Sequence, residues 1–213
     1  MKKIILIIIL SIALITGGYF GYTIWQEERI LNEYAHNKDK KEFVEYIRRD
    51  KKKLKERLEY NDRISYTLDT GLQWYVLGEY RRAIHWWSKG LAMNPKNQIG
   101  WYNVGNAYRR LTEYKKAEQA YLTSIEHARS GELEGCLALG ELYRVDYIEK
   151  RDKEPVIYQT CLQKSPDNRD LIARLGVYYR DAGEKSKALQ YFDQLYGLEP
   201  TIELGEEIRK LQQ

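Results

Sequence analysis

Residues 101–125 read "WYNVGNAYRRLTEYKKAEQAYLTSI". Good helix formers surround Gly105 and Ala117, with Tyr108 and Tyr121 standing three and four residues after them. The same figure recurs along the chain. Gly71, Gly105, Gly140 and Gly176 follow one another at spacings of 34, 35 and 36 residues. Three residues after each glycine comes an aromatic: Trp74, Tyr108, Tyr143 and Tyr179. Twelve residues after it a small residue stands in three copies, Ala83, Ala117 and Ala188, and four further on another aromatic, Trp87, Tyr121 and Phe192. Pro95, Pro166 and Pro200 close three copies. Each unit reads as two helices joined by a short turn, such as Leu77-Gly78-Glu79 or Ala182-Gly183-Glu184. Glycine and alanine let paired helices approach closely, and the large aromatics fill the groove beside them. No unit buries its apolar face alone, so the units must stack.

Two copies depart from this pattern. In the second, Arg129 stands where the proline belongs and Ser130-Gly131 carry the turn. In the third, Gly140 and Pro166 are 26 residues apart, against 24 in the first and fourth copies. Its turn, "DYIEKRDKE", is longer and charged, and Glu154 stands where the small residue belongs. A less regular second helix is expected there.

The spacing of these residues resembles the tetratricopeptide repeat, whose pattern is W-x2-L-G-x2-Y, then A-x3-F, then P at a 34-residue period. The resemblance covers residues 64–200 as four repeats, 64–97, 98–131, 132–168 and 169–200. It implies an all-α, right-handed helical solenoid whose concave face, lined by the first helix of each pair, holds an extended peptide or a partner's helix. Residues one and four beyond each glycine then point away from the packing face: Leu72 and Tyr75, Asn106 and Arg109, Glu141 and Arg144, Val177 and Arg180. Tyr75, Arg109, Arg144 and Arg180 form a row at repeat spacing, which Tyr102, Asn103 and Arg110 would join. An arginine guanidinium is a rigid fork of donors that matches a carboxylate, so an acidic segment or chain terminus is the natural guest. Some members of the family grip a terminal carboxylate with Lys, Asn and Arg. Asn103 and Asn106 resemble the asparagine part, but Leu68 stands where the lysine of the first repeat would be. Residues 201–213, "TIELGEEIRKLQQ", read as an amphipathic capping helix.

Upstream, residues 26–63 contain neither Pro nor Gly and read as a charged helical stalk with one narrow apolar stripe. That stripe suits either docking on the body or weak pairing with a second copy. Asn37-Lys38-Asp39 is expected to interrupt its first helix, with Asp39 and Glu42 as a capping box. A last helix around residues 51–61 is expected to cap the repeats. Further upstream, residues 4–25 carry no charge between Lys3 and Glu27, long enough as a helix to cross a bilayer. The expectation is a single-pass membrane anchor over residues 1–25. Its rival is a cleaved secretory signal, for which Ile15-Thr16-Gly17-Gly18 is a poor cleavage site. Lys2 and Lys3 before the span and Glu27 and Glu28 after it place the body on the extracytoplasmic side.

The net charge of +4 is not spread over the body: residues 29–63 hold 12 Lys or Arg against 8 Asp or Glu, whereas residues 64–213 hold 21 of each. That argues against nucleic acid, which requires a basic stripe on the folded body. Cys136 and Cys161 fall in the two helices of the third repeat and are placed either to bond or to lie buried and free. The sequence has no metal-ligand or cofactor motif and no catalytic signature, so neither an enzyme nor a small-molecule substrate is expected. Trp86, alone among the tryptophans of residues 71–101, has no post imposed by the repeat. The expected function is a membrane-tethered adaptor or scaffold that binds a protein or peptide through its groove. The alternative is a fixed structural subunit of a membrane assembly. A monomeric, soluble body over residues 60–213 would favour the first.

Overall fold

The computed structural model describes residues 21–213, and within them every regular element is helical. The expected membrane span at residues 4–25 lies mostly outside the described residues. Among the described residues no helix is long and apolar enough to cross a membrane. The helices are α1 (residues 21–35), α2 (Lys41–Lys53), α3 (Tyr60–Val76), α4 (Tyr80–Met93), α5 (Gln98–Arg110) and α6 (Tyr114–His127). There follow α7 (Glu134–Glu141), α8 (Glu154–Leu162), α9 (Arg169–Asp181), α10 (Lys185–Leu198) and α11 (Ile202–Gln212). From α2 onward each α-helix packs on its successor, α7 on α8 across an irregular connection, and the first helices of neighbouring repeats, α3 with α5 and α5 with α7, also touch.

The glycine of each repeat is the point of closest approach within its helix pair. A Cβ built on Gly71 would lie 2.5 Å from the Trp87 ring, on Gly105 2.5 Å from Tyr121, on Gly140 2.3 Å from Tyr158, and on Gly176 2.5 Å from Phe192. These are one contact repeated four times, and it fixes Tyr158 as the aromatic of the third copy, displaced by the two extra residues. Ala83, Ala117 and Ala188 are fully buried beside these contacts. The turns inside the first and fourth pairs rest on Gly78 and Gly183 at φ 85° and 75°, and the second turn places Thr112 at φ 58° in the equivalent position. Each closes with the same back-bond, from Glu79 N to Trp74 O, Glu113 N to Tyr108 O and Glu184 N to Tyr179 O, which satisfies a helix-terminal carbonyl. Between pairs, Asn97 and Asn168 accept from Gly100 N (2.6 Å) and Leu171 N (3.0 Å), starting α5 and α9 two residues after a proline.

Of the two readings of residues 26–63, docking on the body is the one observed: α1 and α2 place Leu31, Val44 and Ile47 at 0% exposure in one core with Trp74, Ala83 and Trp87. Trp86 is part-buried at the margin of that core. No cap helix spans residues 51–61, because α2 ends at Lys53 and α3 begins at Tyr60. The break at residues 36–40 falls where expected, but no Asp39 capping box forms: the N-cap of α2 is Lys40, without a side-chain bond, and Asn37 Oδ1 accepts from Asp39 N (2.9 Å) and Lys40 N (3.2 Å) in the turn before it.

The third repeat is irregular as expected. After α7 comes a π-helical turn, Leu142–Asp146, and then a 3-10 segment, Ile148–Lys153. A disulfide between Cys136 and Cys161 staples α7 to α8. A second core, from Ala117 to Phe192, includes both cysteines and continues the first core along the stack.

Candidate functional site

The first helices present their residues one and four past the glycine toward solvent to different extents. Leu72 and Val177 are exposed, as are Arg144 and Arg180, whereas Tyr75, Asn106, Arg109 and Glu141 are part-buried. Each arginine of the expected row is already held by a carboxylate of this chain. Arg109 pairs with Asp146 at 2.5 Å, Arg144 with Glu141 at 2.5 Å, and Arg180 with Asp181 at 2.8 Å and with Glu207 of α11 at 3.1 Å. For Arg144 and Arg180 these bonds raise the guanidinium pKa still further. The irregular connection supplies Asp146 and the capping helix supplies Glu207, so both departures from the bare repeat act on this row.

The other expected site residues divide in the same way. The Tyr75 ring packs against Tyr80 at 5.2 Å and Trp87 at 5.7 Å, and its hydroxyl accepts from Arg110 Nε at 3.4 Å. Asn106 is committed inward, its Oδ1 accepting from the Tyr121 hydroxyl at 2.7 Å. Burial pushes that hydroxyl far above the usual phenol range. Tyr102 leans on the core beside Tyr121, ring centroids 6.3 Å apart. Asn103 instead lines a shallow groove of about 230 Å³ between α3 and α5, with Ser65, Leu68, Asp69, Leu72 and Ile99. The expected residues thus belong to one helix row but not to one pocket.

The larger cleft lies elsewhere, at the junction of the third and fourth repeats. It measures about 440 Å³ and is lined by Arg144, Arg151, Glu154, Arg174, Val177 and Asp181, among others. Glu154 heads α8 and is 3% exposed, and its Oε2 has no hydrogen-bond partner. Burial raises its pKa above the usual glutamate range, against the pull of Arg144 and Arg151. One turn on, Tyr158 is fully buried under the Arg174 guanidinium, which lies 6.0 Å from its ring centroid, and burial pushes the Tyr158 hydroxyl up to about 12. The connection that walls this cleft is pinned to the second repeat. Glu118 of α6 accepts from Lys150 Nζ at 2.6 Å and from the Tyr143 hydroxyl at 2.5 Å. Burial opposes ionisation of Glu118, but these two bonds outweigh it and hold its pKa below the usual range. Arg151 and Arg174 lie outside the glycine-relative positions used to read the groove. The sequence signal for Arg151 is the two-residue excess between Gly140 and Pro166, whereas nothing in the repeat pattern marks Arg174. No metal-ligating cluster occurs among the described residues.

Residues 100–129 match the tetratricopeptide repeat family. Over 127 residues the chain is 27% identical to the BBSome complex member BBS4 of Bos taurus, an alignment that covers 60% of this chain and 24% of that protein. The chain therefore spans about a quarter of the length of that relative. Among solved structures, a crystal structure of MamA superposes with a TM-score of 0.56 at 22% identity, covering 77% of this chain and 89% of that one. MamA from Desulfovibrio magneticus RS-1, residues 41 to the end, gives 0.51 at 13% identity over 70% and 83% of the two chains. These likenesses concern the fold. With one repeat matched directly and the glycine–aromatic contact of residues 105 and 121 reproduced in three further helix pairs, the chain carries a tetratricopeptide repeat at residues 100–129 within a stack of like helix pairs.

Proposed function

We propose that the chain is a non-catalytic adaptor, tethered to a membrane by residues 1–25, that binds a protein partner or peptide along the face presented by α3, α5, α7 and α9. The observation that carries this reading is the split along the first helices. The glycines and their aromatics are consumed by packing, while Leu72 of α3, Val177 and Arg180 of α9, and Arg144 just past α7 stay exposed, and α5 offers part-buried Asn106 and Arg109 at these positions. The exposed arginines are ion-paired within the chain, so the exposed Leu72 and Val177 are the side chains that this face leaves free for a guest. The Cys136–Cys161 bond supports an extracytoplasmic body, since such bonds persist in oxidising compartments. The likeness to BBS4, a complex member, and to MamA fixes no partner for this chain.

Crosslinked pull-down of the tagged full-length chain, compared with an Arg109/Arg144/Arg180→Ala triple variant, tests the reading. Loss of partner recovery is the expected result. Unchanged recovery would remove these arginines from the binding face. Equimolar co-purification that survives the triple change and high salt would favour a fixed structural subunit instead.

A further inference from the structure

The cleft between the third and fourth repeats differs in kind from the rest of the groove, and the difference comes from which charges are already committed. Of its three arginines, Arg144 is taken by Glu141 at 2.5 Å. Arg174 reaches the same carboxylate only at 3.9 Å, and Arg151 has no salt bridge to any described residue. Of its two carboxylates, Asp181 is engaged by Arg180 at 2.8 Å, whereas Glu154 is buried with Oε2 unpartnered. The least committed groups are therefore Arg151, Arg174 with its one long ion pair and its place over the Tyr158 ring, and the buried Glu154 acceptor. An occupant that completes them must bring a carboxylate-like acceptor and, close to it, an N–H donor. A buried polar atom without a partner costs about 1–3 kcal/mol, so the donor matters as much as the acid.

We propose that this cleft is an acid-anchoring pocket for a bound polypeptide: Arg151 and Arg174 take a carboxylate, and Glu154 Oε2 accepts a main-chain N–H beside it. The proposal rests on the groove reading above and locates its specificity. An acidic residue in extended chain carries both groups a few ångströms apart, and so does an acidic chain terminus. The pocket exists because of the two extra residues of the third repeat. They place Arg151 on the 3-10 segment and put Glu154, rather than alanine, at the head of the second helix. In the other three repeats that position is a fully buried alanine.

Fluorescence anisotropy on the full-length chain tests this with two labelled probes. One is a peptide of alternating glycine and glutamate with both ends blocked, and the other is an oligoglycine with a free carboxyl end. Binding of the first assigns the pocket to side-chain carboxylates, and binding of the second to a terminus. Arg151 is exposed, so Arg151→Ala leaves the fold intact and is expected to weaken binding about threefold or more. The Arg151/Arg174→Ala double variant is expected to weaken it about tenfold or more. Lys115→Ala, exposed on α6 and outside both the groove row and the pocket, should leave affinity within about twofold. If Arg109→Ala abolishes binding and Arg151→Ala does not, the groove reading stands and the pocket falls. If every variant binds as the parent does, both fall. Absence of binding of either probe at about 1 mM, or displacement of the peptide by inorganic phosphate at equal concentration, overturns the pocket as a polypeptide site.

Discussion

A methyl group on Gly105 would sit 2.5 Å from the Tyr121 ring, and that ring is fully buried and bonded through its hydroxyl to Asn106. It has no room to retreat. Gly105→Ala is therefore expected to destabilise the chain by about 1–3 kcal/mol in urea unfolding, in spite of alanine's better helix propensity. Gly197→Ala serves as the control, because a Cβ placed there would meet nothing within 4 Å and a gain of about 0.5 kcal/mol is expected from propensity alone. Equal effects at the two positions would remove the close-approach argument. Glu154 makes a pH prediction. Its pKa in the fold is raised by burial, so its protonated form is the one the fold favours. Its contribution is fully present below the usual glutamate range and is lost as pH rises through its higher value in the fold. Against Glu154→Gln, the parent should be comparably stable at about pH 4 and less stable at about pH 8. A difference independent of pH would show that the carboxyl stays in water-like surroundings.

The elements depend on staples that differ from repeat to repeat. Helix pairs α3–α4, α5–α6 and α9–α10 are held by the glycine–aromatic contact, the buried alanine and a tight left-handed turn. In α7–α8 the alanine is replaced by Glu154 and the tight turn by the irregular connection of residues 142–153. The Cys136–Cys161 bond and the Glu118–Lys150–Tyr143 cluster stand in for them. Closing a loop of 25 residues is worth about 3.5 kcal/mol by chain entropy. The Cys136→Ser/Cys161→Ser variant should lose about 2–4 kcal/mol in denaturant unfolding, and full reduction of the parent should reproduce that loss. Should the double variant match the oxidised parent, the pair would be held by packing alone.

At the scale of the molecule, α1 and α2 belong to the stack. Leu31, Val44 and Ile47 are completely buried in the core that also holds Trp74 and Trp87. Each such side chain contributes about 1.5–3 kcal/mol by burial, so removing the pair costs on the order of 5 kcal/mol and uncovers apolar surface. A chain starting at residue 60 is expected to aggregate in sedimentation velocity, while one starting at residue 21 remains a single species. A stable monomer from residue 60 would show that α1 and α2 are dispensable. Solubility of residues 60–213 is consequently no test between adaptor and fixed subunit, since either would lose its cover.

The sequence by itself determined the repeat, because a tetratricopeptide unit writes its packing into residues at fixed spacing: a glycine where helices touch, aromatics that fill the groove, an alanine opposite. Those are local rules of helix geometry and survive in one dimension, down to the irregularity of the third copy. The disposition of charge was settled only in the tertiary structure. Arg109, Arg144 and Arg180 read as free forks, yet Asp146, Glu141, Asp181 and Glu207 already occupy them, and two of the four partners, Asp146 and Glu207, lie 37 and 27 residues away in the chain. In the cleft at the third and fourth repeats Arg151 has no ion pair to a described residue and Arg174 only a long one to Glu141, and the two line it together across a repeat junction. A side chain's partner depends on where distant elements dock, and so does the burial of α1 and α2, whose narrow stripe suited pairing with a second copy as well as docking until Trp74 and Trp87 supplied the surface it covers.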